Sequence, residues 1–271
     1  MSNTLSEWTT FGIGGAAKRI EIATSRDLLV DGASCGVVLG RGSNILASDS
    51  GYDGTVVINR YEYTERKGAF VYAGSGTRLS ALCGFAAENG LSGLEWAVGI
   101  PGTVGGAVRM NAGAFLGAVS DVLVYAEVLR DGKLVTLDKS QLGFGYRSSN
   151  LRCGDVVIGA EFALTEGDPS VIRKRGASFN VLRKNSQPSG RSAGSIFKNP
   201  PHASVGKILD EAGLKGLRHG GAVISREHAN IIVNTGDATA KDVCALIRIM
   251  RGVLRAEGVE AKEEIIYLGE F

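Results

Sequence analysis

Short apolar runs separated by turns indicate that strands build much of the first two thirds of the chain. The predicted strands lie at residues 18–23, 36–40, 55–60, 69–74 and 155–164, and a predicted hairpin lies at 122–137. In that hairpin, Asp131 and Gly132 form a dipeptide that favours a tight two-residue turn. The strands do not alternate regularly with helices, so the pattern predicts an α+β fold.

Helical spacing of apolar residues is found at fewer places. One helix is predicted at 78–89, and the clearest one at 239–257, where Thr239 and Asp242 form a capping box. Weaker patterns predict a short helix at 204–213 with Ser204 as its N-cap, a helix and a connection between domains within 165–192, and strands within 222–234 and at 264–268.

Composition excludes several classes of protein. The chain has 39 glycines and 5 prolines among 271 residues with no Gly-X-Y period, which excludes collagen, and its 44% of hydrophobic residues excludes a disordered chain. The net charge of +2 gives no general attraction to nucleic acid. No run reaches the ~18 apolar residues that span a bilayer, and the polar start is unlike a signal peptide. We therefore expect a cytoplasmic protein that binds neither nucleic acid nor membrane.

Metal and nucleotide motifs of the common kinds are missing from the sequence. The 4 cysteines form no CxxC pair and the 3 histidines no HExxH pattern, so no metal site is predicted. Neither GxGxxG nor GxxxxGK[ST] is complete, which disfavours a Rossmann domain and a P-loop. Glycine clusters at 38–44 and 99–107 could form tight turns or a phosphate-binding nest of backbone N–H groups. Two such clusters together favour a nucleotide cradle of another shape.

Several longer motifs occur in a fixed order along nearly the whole chain. They are TFGIGG (10–15), LGRGSNIL (39–46), GLSGLEWAVGIPGTVGGA (90–107), MNAG (110–113), FGYR (144–147), SAGSIFKNP (192–200), VGKILDEAGLKG (205–216) and HANIIVN (228–234). With these motifs the chain resembles the MurB family of UDP-N-acetylenolpyruvoylglucosamine reductases. It is similar to the shorter type of that family, which lacks the extra insertion that caps the substrate.

The resemblance implies an FAD-binding domain of the vanillyl-alcohol oxidase/p-cresol methylhydroxylase (PCMH/VAO) type, made of two α+β subdomains and followed by an α+β substrate-binding domain. The FAD-binding domain is expected at 1–164, with subdomains at about 1–58 and 59–164, and the substrate-binding domain at 165–271. The cofactor would be FAD, with NADPH as co-substrate. A nucleotide sugar would be the substrate, and we expect a monomer.

The resemblance also implies roles for individual residues. Ser195 matches the family's proton donor, Arg147 its active-site arginine and Glu264 its C-terminal catalytic glutamate. The residues expected to bind the cofactor are Gly40, Arg41, Gly42, Ser43, Asn44, Gly105, Gly106, Ala107 and Asn111. The residues expected to bind the substrate are Lys198, Asn199, Lys207 and His228.

Alternatives remain open at the C-terminus and in the flavin-binding region. Glu263 competes with Glu264, because a slip of one residue in a strand turns the side chain to the other face, and Glu260 is a more remote competitor. Phe115 and Leu116 stand where the family commonly has Tyr-Gly, and Arg191 stands where small residues or proline are frequent. Two further functions compete with the reductase: a related flavoprotein oxidase that passes electrons to oxygen, and a binding protein that has lost catalysis.

Overall fold

The structure, a computed structural model, describes residues 3–271 and contains 8 α-helices and 17 strands within them. The helices are α1 (Arg26–Ala33), α2 (Leu79–Glu88), α3 (Val104–Arg109), α4 (Val119–Val122), α5 (Lys139–Leu142), α6 (Pro169–Ser186), α7 (Val205–Glu211) and α8 (Ala240–Ala256). Two short 3-10 helices lie at Leu5–Glu7 and Glu95–Ala97. None of the helices within 3–271 is long and apolar enough to cross a bilayer.

The strands are mostly short. They are β1 (Ala17–Ala23), β2 (Val37–Leu39), β3 (Ile45–Ala47), β4 (Tyr52–Asn59), β5 (Thr64–Lys67), β6 (Phe70–Gly74), β7 (Leu91–Ser92), β8 (Gly113–Ala114), β9 (Gly117–Ala118), β10 (Leu123–Arg130), β11 (Lys133–Asp138), β12 (Val156–Ala163), β13 (Thr165–Glu166), β14 (Arg218–His219), β15 (Ala222–Ile224), β16 (Ile232–Asn234) and β17 (Ile266–Leu268).

The chain forms two compact units, and neither is continuous in sequence. The terminal unit contains the chain up to Arg19, Gly42–Gly54 and Lys184–Phe271, and the central unit contains Ile20–Arg41 and Thr55–Arg183. These units differ from the expected ranges 1–164 and 165–271, because segments near the N-terminus pack with the last third of the chain. The division into FAD-binding and substrate-binding domains describes function and remains a prediction.

The central unit is built on a five-stranded antiparallel sheet in the order β11-β10-β12-β6-β5, and the strands β1-β4-β2 form a second sheet. Alternate residues of the larger sheet point to its inner face, where Val71, Ala126 and Phe162 are buried together with Leu82 of α2 and Val108 of α3. On the outer face, α1 packs with Leu29 against part of the sheet.

The terminal unit has its own apolar core, formed mainly by α7, α8 and the strands β14, β15 and β16. Its members include Phe197, Leu209, Ile232 and Met250, each at most 1% exposed. Phe11, Ile13 and Leu46 enter the same core from the first 54 residues. Next to Leu46, β3 pairs in parallel with β17 and joins the two ends of the chain.

Most predicted elements are confirmed. The helices predicted at 78–89 and 239–257 are α2 and α8, the capping box of Thr239 and Asp242 is present, and the hairpin at 122–137 is β10–β11. The side chain of Ser204 makes no capping hydrogen bond. Instead, Oδ1 of Asn199 accepts from the N–H of Val205 at 2.9 Å, so a residue from the preceding loop caps α7.

Candidate active site

In the terminal unit, the extended segment that carries Ser195 lies between two other segments. Ser195 forms a bridge with Ile231, and the N–H of Ile196 donates to the carbonyl of Asn230 at 2.8 Å. On its other side, the carbonyl of Ile196 accepts from the N–H of Glu264 at 2.7 Å. The backbone therefore places Ser195 and Glu264 on adjacent extended segments, as an active site that used both would require.

A buried amide holds this arrangement. The side chain of Asn230 is 2% exposed; it donates to the carbonyl of Phe197 at 2.8 Å and accepts from the N–H of Phe197 at 3.0 Å. Both polar ends of the amide are thus satisfied inside the unit. Because Phe197 lies two residues after Ser195, this double hydrogen bond fixes the register of the segment that carries the hydroxyl.

Asn44, expected to bind the cofactor, also belongs to this cluster. Its side-chain Nδ2 donates to the carbonyl of Glu264 at 2.9 Å, and its own carbonyl accepts from the N–H of Ile266 at 2.9 Å. The end of the first glycine cluster is therefore hydrogen-bonded to the backbone of the expected catalytic glutamate. Nothing in the sequence indicated this pairing, because Asn44 and Glu264 are 220 residues apart.

The two adjacent glutamates lie in different surroundings. The Glu263 carboxylate forms an ion pair with Arg251 of α8 and accepts a hydrogen bond from the hydroxyl of Tyr267. Burial, together with the hydrogen bond and charge of Glu263, raises the pKa of Tyr267 above its usual range. Since consecutive side chains of an extended segment alternate in direction, Glu264 is expected on the side opposite Arg251.

Of the residues expected to bind the substrate, Asn199 and Lys207 have partners within the protein. The side-chain oxygen of Asn199 caps α7. Asn199 is an exposed residue. Lys207 Nζ lies 3.7 Å from the carboxylate of Glu211 one turn later, and its side chain is 74% exposed. The N–H of Lys198 donates to the carbonyl of Lys262 at 2.8 Å, so Lys198 lies beside the C-terminal segment.

His228 packs against α7. Its Nδ1 accepts from the N–H of Asn230 at 3.2 Å, which requires that nitrogen to be unprotonated. Burial, followed by the positive charge of Lys215, lowers the pKa of His228. A Cβ at Gly206 would lie 2.8 Å from Cε1 of the ring, so the glycine makes room for the histidine. These contacts favour a neutral imidazole at pH 7.

In the central unit, Arg147 lies in a tight turn that three hydrogen bonds tether. Arg147 has φ of +53° and donates through Nη2 to the carbonyl of Gly113 at 2.7 Å. The Asn111 amide donates to the carbonyl of Gly145 at 3.0 Å, and the hydroxyl of Ser149 donates to the carbonyl of Arg109 at 2.7 Å. The turn that carries the expected active-site arginine is therefore fixed to the end of α3 and to the segment that follows it.

Asn111 itself is only 8% exposed, and both ends of its side chain are used. Besides the bond to Gly145, its Oδ1 accepts from the N–H of Ser120 at 3.0 Å. This assigns the side chain a structural role in the turn of Arg147. Any contact with a cofactor would fall to the backbone of Asn111, whose φ is +41°.

A second arginine accompanies Arg147, and the sequence motifs did not identify it. Burial lowers the pKa of Arg183, and the charge of Arg147 lowers it further. The guanidinium of Arg183 lies 5.9 Å from the ring centre of Phe115, which stacks on Phe179 at 4.9 Å. Phe115, where the family commonly has tyrosine, thus forms an aromatic pair beside Arg183.

The two glycine clusters come together within the central unit. A Cβ at Gly40 would lie 2.6 Å from Oγ1 of Thr103, the residue before α3, so the glycine allows the end of β2 to lie against α3. A Cβ at Gly105 would lie 2.9 Å from Cβ of Ser75. At Gly106, which is exposed, the nearest atom outside the helix backbone would be Oγ1 of Thr103 at 3.9 Å.

Of these glycines, Gly106 has room for a flat, extended cofactor such as FAD, whereas Gly40 and Gly105 make room for packing within the protein. Gly106 leaves a patch of α3 without a side chain, where a ligand could approach the backbone closely. Gly40 and Arg41 begin the turn after β2, and the carbonyl of Gly40 accepts from Nη1 of Arg60 at 3.1 Å. The turn continues through Gly42, Ser43 and Asn44 in the terminal unit, with φ of +59° at Gly42.

Family comparisons match both parts of the chain. Residues 186–268 match the C-terminal domain of UDP-N-acetylenolpyruvoylglucosamine reductase. Residues 33–138 match an FAD binding domain.

Curated and solved relatives agree with these matches over nearly the full length. A UDP-N-acetylenolpyruvoylglucosamine reductase of Caldicellulosiruptor bescii is 42% identical, covering 98% of this chain and 90% of the relative. Its counterpart from Thermus thermophilus is 43% identical, covering 93% and 95%. The crystal structure of UDP-N-acetylenolpyruvylglucosamine reductase (MurB) from Thermus caldophilus superposes with a TM-score of 0.88 at 41% identity, covering 98% and 97% of the two chains.

Proposed function

The chain belongs to the UDP-N-acetylenolpyruvoylglucosamine reductase (MurB) family, and we propose that Ser195, Arg147 and Glu264 carry the chemistry of its reaction. The enzyme is an FAD-dependent oxidoreductase that reduces the enolpyruvyl group of UDP-N-acetylenolpyruvoylglucosamine to form UDP-N-acetylmuramate, a precursor of peptidoglycan. When bound, FAD would supply the redox chemistry, which is hydride transfer from NADPH to the substrate.

The chemistry of an enol ether attached to a carboxylate determines what the protein must add. Hydride arrives at the β-carbon, and negative charge then develops towards the α-carbon and the carboxylate. The site therefore needs a cation or hydrogen-bond donors for that charge, and an acid that protonates the α-carbon.

We assign Ser195 as the acid. Its hydroxyl lies on a partly exposed residue of a fixed backbone segment, which supports a role that depends on position. A serine hydroxyl is a weak acid, so it needs a neighbour that stabilises the oxyanion left after proton loss. Lys198, three residues later on the same segment, is our candidate for that cation.

We assign Glu264, not Glu263, as the catalytic glutamate. The carboxylate of Glu263 already has Arg251 and Tyr267 as partners, which occupy it. The N–H of Glu264 donates to the carbonyl of Ile196, next to Ser195. This adjacency of Ser195 and Glu264 is the single observation that carries the assignment.

Arg147 is proposed to bind the substrate carboxylate or the flavin edge. A guanidinium offers paired N–H donors that match a carboxylate, and the tethered turn limits the entropy lost on binding. Arg183 adds a second positive charge close to Arg147. Together they would make this part of the central unit attractive to an anionic group.

For the cofactor we propose the backbone of Gly40–Asn44 around the pyrophosphate, and Gly105, Gly106, Ala107 and Asn111 along the second face. For the substrate we propose Lys198, Asn199 and Lys207 around the diphosphate, with His228 nearby. Glu211 already neutralises part of the charge of Lys207. We further propose that the enzyme acts in the cytoplasm as a monomer, independently of nucleic acid and membrane.

The two half-reactions test the assignment of Ser195. In Ser195→Ala, we expect flavin reduction by NADPH at nearly the normal rate, and substrate reduction slowed by about 10²- to 10⁴-fold, because only the second step needs the proton. Stopped-flow absorbance of the flavin measures both steps, and Ser192→Ala on the same segment is the control. Equal slowing of both half-reactions would show that Ser195 is structural.

A further inference from the structure

A groove lies on the outer face of the five-stranded sheet of the central unit. It has a volume of about 410 Å³, and its walls include the side chains of Tyr61, Tyr63, Tyr72, Tyr125 and Glu161, which we call the tyrosine groove. None of the residues proposed for FAD, substrate or catalysis lines it. The function assigned above therefore leaves this groove unexplained.

Strand register places a carboxylate between two aromatic rings. Glu161 on the central strand β12 is paired with Tyr72 of β6 on one side and with Tyr125 of β10 on the other. Tyr63 meets Tyr72 edge to face at 6.1 Å between ring centres, and Tyr61 stacks on Tyr63 at 6.3 Å. A row of rings thus continues from Glu161 towards the edge of the sheet.

A hydrogen bond holds the middle ring of this row. The hydroxyl of Tyr72 donates to Oε2 of Glu127 at 2.6 Å. The same hydroxyl lies over Gly159, where a Cβ would collide with it. Burial and the charge of Glu127 raise the pKa of Tyr72, which keeps the hydroxyl protonated and the bond intact. The groove is therefore organised before any ligand arrives.

The charges of the groove do not balance. Glu65 pairs with Lys67 at 3.4 Å, and Glu127 lies 3.7 Å from Arg26. For Glu161, no lysine, arginine or histidine within residues 3–271 comes within 4 Å. Glu161 and Glu127 also raise the pKa of Tyr125, after the effect of burial. One cation beside Glu161 would balance the charges of the groove.

We propose that the tyrosine groove binds an arginine or lysine side chain carried by an extended segment of a partner protein. A cation over a tyrosine ring is attracted by the negative face of the ring, and a charge-assisted hydrogen bond to a carboxylate adds to this attraction. Glu161 with a ring on each side offers both interactions to a single cationic group.

The edge of the sheet favours an extended segment over a free small cation. β5 is the last strand on this side, and it contributes Glu65 to the groove. Within the described residues, no other strand pairs with its outer edge. A segment that added to β5 would place alternate side chains over the outer face of the sheet, where the tyrosine groove lies.

The test uses the FAD-loaded enzyme and a short synthetic peptide with one arginine between threonine and valine residues. A matched peptide carries citrulline, which has the shape of arginine without its charge. We expect calorimetry to detect the arginine peptide and to find the citrulline peptide at least about tenfold weaker. Glu161→Gln should weaken the arginine peptide about tenfold, and Tyr125→Leu at least about threefold. Glu88→Gln, at an exposed position at the end of α2, should leave the affinity for the arginine peptide unchanged.

Several outcomes would overturn the proposal. Equal affinity for the arginine and citrulline peptides would show that the groove does not recognise the positive charge of the peptide. Free arginine or tetramethylammonium binding as tightly as the peptide would make the groove a receptor for small cations, without a role for β5. Substrate reduction at the normal rate by Glu161→Gln is the expected control, since it shows that the variant is folded and that the groove is separate from catalysis.

Discussion

A substitution at Gly106 in α3 can test ligand binding without disturbing the packing of the protein. A side chain there would face solvent, whereas one at Gly105 would collide with Ser75. A variant at Gly105 would therefore damage packing whether or not a cofactor lies there. Gly106 is the sharper position at which to test whether FAD approaches α3.

We expect Gly106→Val to lower the affinity for FAD at least about tenfold, because its side chain would occupy the space of the cofactor. The stability of the FAD-free protein should not fall, since valine is a slightly better helix former than glycine. Flavin fluorescence titration measures the affinity, and thermal unfolding measures the stability. Gly84→Val is the matched control, because Gly84 lies within α2 with no atom in the way. Normal affinity in Gly106→Val would exclude this face of α3 from the cofactor site.

Glu263 and Glu264, near the C-terminus, can likewise be distinguished by matched variants. Glu264→Gln keeps the shape of the side chain but removes its charge and its capacity to exchange protons, so we expect substrate reduction to slow by about 10²-fold or more. Glu263→Gln loses only a partly exposed ion pair with Arg251, which costs about 1 kcal/mol or less, and should slow the same step less than about threefold. Stopped-flow measurement of flavin reoxidation by substrate distinguishes them. The reverse order of effects would move the catalytic role to Glu263.

At the scale of elements, local sequence signals correctly predicted helix starts and turns, whereas pairings between residues far apart in sequence were not predicted. Thr239 with Asp242 correctly marked the start of α8, and Asp131-Gly132 the turn of the hairpin. The helix α1 was missed, although Ser25 caps it by accepting from the N–H of Leu28, because its eight residues show no long apolar stripe. The apolar runs also gave no sign that β3 pairs with β17, since such pairing depends on residues far apart in sequence.

The same limit applies to the candidate site. The motifs identified Ser195, Arg147 and Glu264 through resemblance, but the sequence did not reveal what holds them. Asn230 and Asn111 use both ends of their amides to fix neighbouring backbone, and single asparagines carry no distinctive sequence pattern. Residues that position others are visible only when their partners are known.

The turn of Arg147 offers a test at this scale. Asn111→Ala leaves the N–H of Ser120 and the carbonyl of Gly145 without their partner, and we expect a loss of about 2 kcal/mol in stability. Because the turn then moves more freely, the KM for the enolpyruvyl substrate should rise at least about threefold. Asn89→Ala is the control, since Asn89 donates only to Phe85 at the end of α2. An unchanged KM in a destabilised Asn111→Ala would restrict Asn111 to stability.

At the scale of the whole molecule, the order of the chain and the compact units do not correspond. The range 186–268 is recognised as a C-terminal domain, yet the terminal unit that contains it also needs the chain up to Arg19 and Gly42–Gly54. Phe11, Ile13 and Leu46 from those segments are at most 2% exposed in its core. The range matched in sequence therefore differs from the compact unit.

We accordingly expect a fragment of residues 184–271 to lack a stable fold. Removing three large apolar side chains from a core costs about 2–5 kcal/mol for each, which together reaches the 5–15 kcal/mol that stabilises a typical domain. The fragment also loses β3, the partner of β17, and Asp49, which accepts from the N–H groups of Ala240 and Lys241 at the start of α8. Circular dichroism during thermal unfolding should show no cooperative transition for the fragment, and adding a peptide of residues 1–54 should restore one. A cooperative transition in the fragment alone would mean that α7, α8 and strands β14–β16 are sufficient, and that the N-terminal segments only cover a core already formed.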